Sequence, residues 1–169
     1  MIVGLSGLAR CGKDSFFNFS KTSLRKKDLS CRRLAFADEL KNELDDFLVK
    51  NFSISCFTEK TEEKEIIRPI MVSYGMAKRQ MTNGRYWLNK IENKIKNSSD
   101  KFDYNFITDV RFENEVKSIK DFGGVCIHIT RDKNIAPNEE EKINDPIVKN
   151  SSDFNFYWEN FKDIDEGKP

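Results

Sequence analysis

The chain has 169 residues, with 29 Lys and Arg against 28 Asp and Glu and a formal net charge of +1. That balance argues against a nucleic-acid partner, which favours a basic stripe. No apolar run nears the ~20 residues needed to span a bilayer. Four scattered cysteines, Cys11, Cys31, Cys56 and Cys126, form no C-x-x-C pair. With no leader-like segment, they read as free thiols of a cytoplasmic protein.

In chain order, Met1–Ser6 is an apolar run that predicts a first strand, and it feeds straight into Gly7. Phe16, Phe17, Phe19 and Leu24 are spaced for one buried helical face. Cys31–Ala37 predicts a second strand, and Asp38 can cap a helix carrying Leu40, Leu44, Phe47 and Leu48. Residues 53–64 are polar and ambiguous, including the charged run Glu59–Glu65, which reads as a solvated helix face. Arg68-Pro69 marks a break, with Pro69 suited to a first helical turn. Ile70–Met81 and Tyr86–Ile95 have helical spacing, and Ser98–Asp100 reads as a loop. Tyr104–Asp109 predicts a third strand with an acidic end, Glu113–Phe122 a helix stopped by Gly123-Gly124, and Val125–Thr130 a fourth strand. Arg131–Asp145 is charged and lacks apolar periodicity, so it reads as a long loop or lid. Pro146–Lys149 is read as a fifth strand and Phe154–Phe161 as a last helix. The alternation predicts a single α/β/α domain with a mostly parallel sheet of about five strands.

The stretch Gly7–Ser15 (GLARCGKDS) has the spacing of a phosphate-binding loop, except that Asp14 stands where Ser or Thr is expected. Glycines allow the tight turn, backbone amides gather round phosphate oxygens, and the following helix adds its positive dipole end. Lys13 supplies a point charge for the outer phosphates of ATP. Asp14 or Ser15 can ligate Mg²⁺, which favours oxygen donors. Cys11, inside the loop, is the one cysteine expected to be open to oxidation. Ligands of parallel sheets bind beyond the carboxyl ends of the strands. Three features fall there by order along the chain: Gly7–Lys13, Asp109 and Arg131. Asp109 suits an acid acting on Mg²⁺, or a helix cap or ion pair with Arg111.

The loop resembles the G-x-x-R-x-G-K-D-T loop of the phage deoxynucleoside monophosphate kinases, in which aspartate after the lysine is normal. A similar loop occurs in one animal type of phosphomevalonate kinase. Further stretches resemble the phage family in the same order: LAFADELKNEL at 34–44, YGMAKRQMTNGRYWLNKI at 74–91, and FITDVRFENEVKSIKDFGGVCIHITR at 106–131. The resemblance implies a P-loop kinase moving the ATP γ-phosphoryl group to a deoxynucleoside monophosphate. It implies a helical acceptor-binding region near 38–98 and a lid near 131–145. Gly7, Arg10, Cys11, Gly12, Lys13, Asp14 and Ser15 would hold the triphosphate, with Asp14, Ser15 and Asp109 on the metal. Arg79, Arg111 and Arg131 would neutralise phosphate charge, and Asp38, Arg68 and Trp87 would join Arg79 and Arg111 around the acceptor. Asn150 would touch the donor adenine, since NDPIVKNSSDF resembles a D-x-x-x-x-N segment through Asp145 and Asn150.

The chain departs from that pattern at Ser15, Met76 and Ala77, and carries no H-x-S-E stretch between Arg131 and Asp145. For Asp38 a helix cap, for Arg111 an ion pair with Glu113 or Glu115, for Arg68 plain exposure, for Arg10 a solvent-facing side chain, for Trp87 packing and for Asn150 a turn role are the bland alternatives. The single histidine, His128, lies inside an apolar strand and reads as a core residue. A kinase for another acceptor, such as phosphomevalonate or dephospho-coenzyme A, would share the loop. A switch-type GTPase would need an N-K-x-D tetrapeptide, which the chain lacks. A non-catalytic nucleotide-binding module is the third alternative, and a homodimer is left open.

Overall fold

The computed structural model describes residues 1–97, 101–132 and 134–158. The loop expected at Ser98–Asp100 and the end of the helix expected at Phe154–Phe161 lie outside them. Five strands form one sheet: β1 (Ile2–Ser6), β2 (Cys31–Leu34), β3 (Tyr104–Val110), β4 (Val125–Arg131) and β5 (Phe154–Trp158). The helices are α1 (Lys13–Arg25), α2 (Phe36–Phe52), α3 (Thr61–Met81), α4 (Arg85–Lys96), α5 (Glu113–Asp121) and α6 (Glu139–Ser151). The strand order is β2-β3-β1-β4-β5, and every pairing is parallel. The expected α/β class with a parallel sheet is therefore observed.

Contacts divide the chain into a sheet unit, residues 1–34 and 98–169, and a helical unit, residues 35–97. In the sheet unit, β1 is buried at every position, as a central parallel strand must be. Its Val3 and Leu5 pack with Cys11, Phe17, Phe106 and Ile129. Each such buried aliphatic side chain contributes about 2 kcal/mol of hydrophobic stabilisation. Phe17 of α1 meets Phe106 edge to face, whereas Phe19 is half exposed and only tilts against Trp158.

In the helical unit, Leu44 and Leu48 of α2 pack with Cys56 and with Ile67 of α3. α2 opens at Phe36 with Ala35 as an uncapped N-terminus, so Asp38 sits inside the first turn rather than at the cap. There its charge favours the positive end of the helix dipole. α3 runs through Pro69 without ending, so the break expected at Arg68-Pro69 is absent and the polar residues before it are helical.

The last two elements exchange character relative to the sequence expectation. The segment 139–151 is helical although its only buried apolar residue is Val148, which left no apolar stripe to read. Phe154–Trp158 is a parallel edge strand beside β4, not a helix. Its Phe156 and Trp158, two residues apart as strand alternation requires, contact each other and reach Phe16 and Phe19 of α1.

Candidate active site

Gly7–Gly12 turn the chain from β1 into α1. Gly7 holds φ at 122°, and a Cβ there would lie 2.1 Å from the Ile129 carbonyl oxygen. Only glycine fits both the backbone angle and the space. Arg10 accepts a left-handed φ of 64°, and Gly12 follows at 104°. The Cys11 amide donates to the Leu8 carbonyl at 3.2 Å, closing the turn. Lys13 folds its ammonium over the loop, donating to the carbonyls of Gly7 at 2.7 Å and Leu8 at 2.8 Å. No side chain caps α1 at Gly12, so the amides of its first turn face outward. Asp14 is exposed in that turn and Ser15 half-buried.

The parallel register brings the other expected residues to the same end of the sheet. Ser6 lies opposite Val110 on one side and His128 on the other. Asp109, half-buried, and Arg111 therefore flank the end of β3 beside the loop, while Arg131 ends β4. Arg111 pairs with neither Glu113 nor Glu115 through its guanidinium. Buried Glu115 instead accepts the backbone amides of Arg111 and Phe112, at 2.8 and 3.1 Å. The guanidinium donates through Nη1 to Oε1 of Glu141 at 2.8 Å, and Oε2 of the same carboxylate accepts the Ala9 amide of the loop at 3.0 Å. Asn134 adds a bond from Nδ2 to the Ala9 carbonyl at 3.1 Å. A small cavity lies here, lined by Gly7, Leu8, Arg111, Glu141, Asp145 and their neighbours.

Beneath the loop, His128 is fully buried, as its place in β4 predicted. Its Nδ1 shares a hydrogen bond with the Ser6 hydroxyl at 3.1 Å. Nε2 stands 3.7 Å from Asp145, too far for a hydrogen bond. Burial, aided by Lys149 and Lys13, holds His128 down to about 4, so the ring is neutral near pH 7. Burial pushes the Asp145 carboxyl up, partly offset by Lys13 and Lys149. Cys11 corrects an expectation. It is 1% exposed, and burial raises its thiol despite the adjacent Lys13, which makes it a packing residue rather than an oxidation site.

Asp38, Arg68, Arg79 and Trp87 belong to the helical unit. Arg68 is exposed and Arg79 half-buried on α3. Trp87 is 4% exposed, its indole N–H donating to the Gly75 carbonyl and its ring against Tyr86, which puts it in the packing of the unit. Tyr86 joins a polar hub that sequence reasoning did not single out. The Glu43 carboxylate accepts from Tyr74, Tyr86, Lys78 and Lys90. Although burial opposes it, those bonds hold its carboxyl down to about 2. Asn150 is exposed near the end of α6.

Glu141 is the functional candidate that the sequence hid. The only signal was the acidic run Glu139–Glu141, which reads as an exposed lid surface. A loop amide and a guanidinium together gripping an oxyanion show that the residues here suit phosphate. Among the described residues no cluster of three or more His, Cys, Asp or Glu could hold a metal by itself. Mg²⁺ takes one or two protein oxygens and completes its shell on phosphates and water, and Asp14, Ser15 and Asp109 are the residues that would hold it.

Loop, sheet order and convergent basic groups define a P-loop kinase acting on a small molecule, with ATP as the implied phosphoryl donor. The phosphomevalonate kinase family model matches residues 5–123, and the chain belongs to that family. Among solved structures it is similar to TT1252 of Thermus thermophilus, at 9% identity and a TM-score of 0.49, covering 100% of this chain and 98% of that one. It is also similar to shikimate kinase from Bacteroides thetaiotaomicron, at 12% identity and a TM-score of 0.43, covering 98% and 93%. No curated protein sequence matches significantly. Among the described residues, no helix is long and apolar enough to cross a membrane.

Proposed function

We propose that the chain transfers the γ-phosphoryl group of ATP to a deoxynucleoside 5′-monophosphate, giving ADP and the deoxynucleoside diphosphate. The observation that carries it is the convergence of the Gly7–Lys13 loop, Asp109 and Arg111 at one end of the sheet, with Ala9 and Arg111 already sharing one oxyanion. The acceptor phosphate is itself a nucleophile, so the reaction asks for positioning and charge neutralisation rather than a strong base. Lys13 leaves the Gly7 and Leu8 carbonyls for the outer phosphates of ATP, and the loop amides, Arg10 and Cys11 included, surround them. Mg²⁺ held by Asp14, Ser15 and Asp109 would neutralise charge between the β- and γ-phosphates. Arg111 and Arg79 take the acceptor phosphate, since a planar guanidinium binds phosphate oxygens in pairs. Arg131 covers the transferred group, and the 131–145 segment, once Glu141 has let go of the loop, closes over the bound phosphates as a lid that excludes water.

The deoxynucleotide acceptor is favoured by the three stretches at 34–44, 74–91 and 106–131, which resemble the phage kinases in order. The family match over residues 5–123 favours phosphomevalonate as a second reading. Both acceptors end in a phosphomonoester, so the same arginines serve either. ADP release from Mg-ATP, measured with deoxynucleoside and ribonucleoside monophosphates, phosphomevalonate and dephospho-coenzyme A, separates them. Turnover with one or more deoxynucleotides is expected, and turnover with phosphomevalonate alone would replace the first reading by the second.

A further inference from the structure

We propose that Glu141 is a built-in occupant of the phosphate loop, which the triphosphate must displace, so that binding of nucleotide and release of the first turn of α6 are one event. This rests on the reading of Gly7–Lys13 as the ATP site. Glu141 is the third residue of α6, and its amide is already satisfied by the Asn138 side chain that caps the helix, at 2.8 Å. In the usual capping arrangement a glutamate at this position turns back toward the cap residue. Here it turns to the loop instead, and its side chain is only 9% exposed. Both carboxylate oxygens are used, one on the Ala9 amide and one on Arg111.

Those two donors are what a phosphate group needs. A loop amide taken by a carboxylate cannot also cradle a phosphate oxygen, and Arg111 in a close ion pair is partly neutralised. One turn further along α6, Asp145 lines the same small cavity, so the helix turns two acidic side chains toward the loop. A triphosphate brought up to this face meets like charge unless α6 gives way. The exchange is conservative for the loop, because one oxyanion replaces another on the same donors. Asn134, bonded to the Ala9 carbonyl, ties the segment between β4 and α6 to the same loop residue and holds Glu141 in register. The device sets a threshold. Nucleotide binds only as tightly as its own contacts exceed those of Glu141, and Arg111 is freed for phosphate only once nucleotide has arrived.

The test is ATP affinity by calorimetry for the full chain, its Glu141→Gln and Glu141→Ala variants, and Lys13→Ala. Glu141→Gln keeps the shape and removes the charge, and Glu141→Ala removes the contact. Expected is a roughly tenfold tighter Kd in Glu141→Ala and a smaller gain in Glu141→Gln, about 1.4 kcal/mol for the tenfold change. Amide exchange across the first turn of α6 should rise when the unaltered chain is saturated with ATP. Equal or weaker ATP binding in both variants, or unchanged exchange there on saturation, overturns the proposal while leaving the ATP site in place. Absence of any ATP binding that Lys13→Ala weakens overturns the ATP site itself, and the proposal with it.

Discussion

Gly7 is where backbone geometry and chemistry meet at a single residue. An alanine Cβ would collide with the Ile129 carbonyl at 2.1 Å in a backbone conformation that alanine avoids. Gly7→Ala should therefore cost on the order of 2 kcal/mol or more and lower the melting temperature by several degrees. A thermal melt unchanged within a degree would show that the loop relaxes freely. His128 makes a second prediction at this scale. Its folded value, about 4, lies below its ordinary one, so the unfolded chain takes up the proton first as pH falls. Stability should drop between about pH 6.5 and pH 4, and His128→Gln should remove that part of the slope in urea titrations. The thiols give a third. Burial raises Cys56, and Cys126 to about 12, and Cys11 is equally shielded, leaving Cys31 as the least buried. One thiol should react with a disulfide reagent in the native protein and four in denaturant.

At the scale of elements, α2, α3 and α4 owe more to one carboxylate than their apolar content suggests. Glu43 on α2 joins Tyr74 and Lys78 on α3 to Tyr86 and Lys90 on α4. Its folded value near 2 lies below the ordinary 4.5, so its contribution is complete above pH 4.5 and is lost as pH falls toward 2. Glu43→Gln should destabilise the protein at pH 7 by about 1–2 kcal/mol, discounted for solvent screening, and flatten that acid limb. Equal stability of the two proteins at pH 7 and at pH 3 would show that the Glu43 hub does not stabilise the fold. The same elements show what a sequence can disclose. β1, β3, β4 and α5 were legible because their apolar residues are dense and their ends carry glycine or acid. α6 was not, because its inward face consists of Glu141, Asp145 and Val148, and only tertiary bonds to the loop reveal two acidic residues as inward. β5 was misread because Phe154, Tyr157, Trp158 and Phe161 also fall at the i, i+3, i+4, i+7 places of a helix. Pro69 was read as a helix start, although α3 carries it in its interior.

For the whole molecule, the part of the candidate site that the sequence proposed is the part that local chemistry writes, Gly7, Gly12, Lys13, Asp14 and the strand-end groups Asp109, Arg111 and Arg131, and these residues lie at one end of the sheet. What the sequence hid was the distant partner of the loop and of Arg111. Arg111 pairs across 30 positions with Glu141, and the Ala9 amide across 132 with the same carboxylate. Such pairings depend on which helix returns to the loop, and that follows from strand order rather than from any motif. On this reading the loop delivers phosphate from ATP to a phosphorylated small molecule. The most direct measurement follows labelled γ-phosphate from Mg-ATP into the deoxynucleoside monophosphate pool, with the unaltered chain beside Lys13→Ala. Label is expected in a deoxynucleoside diphosphate, at a rate about 10²–10³-fold lower in Lys13→Ala. Label that reaches no phosphorylated acceptor although ATP binds, or that arrives equally fast without Lys13, would contradict it.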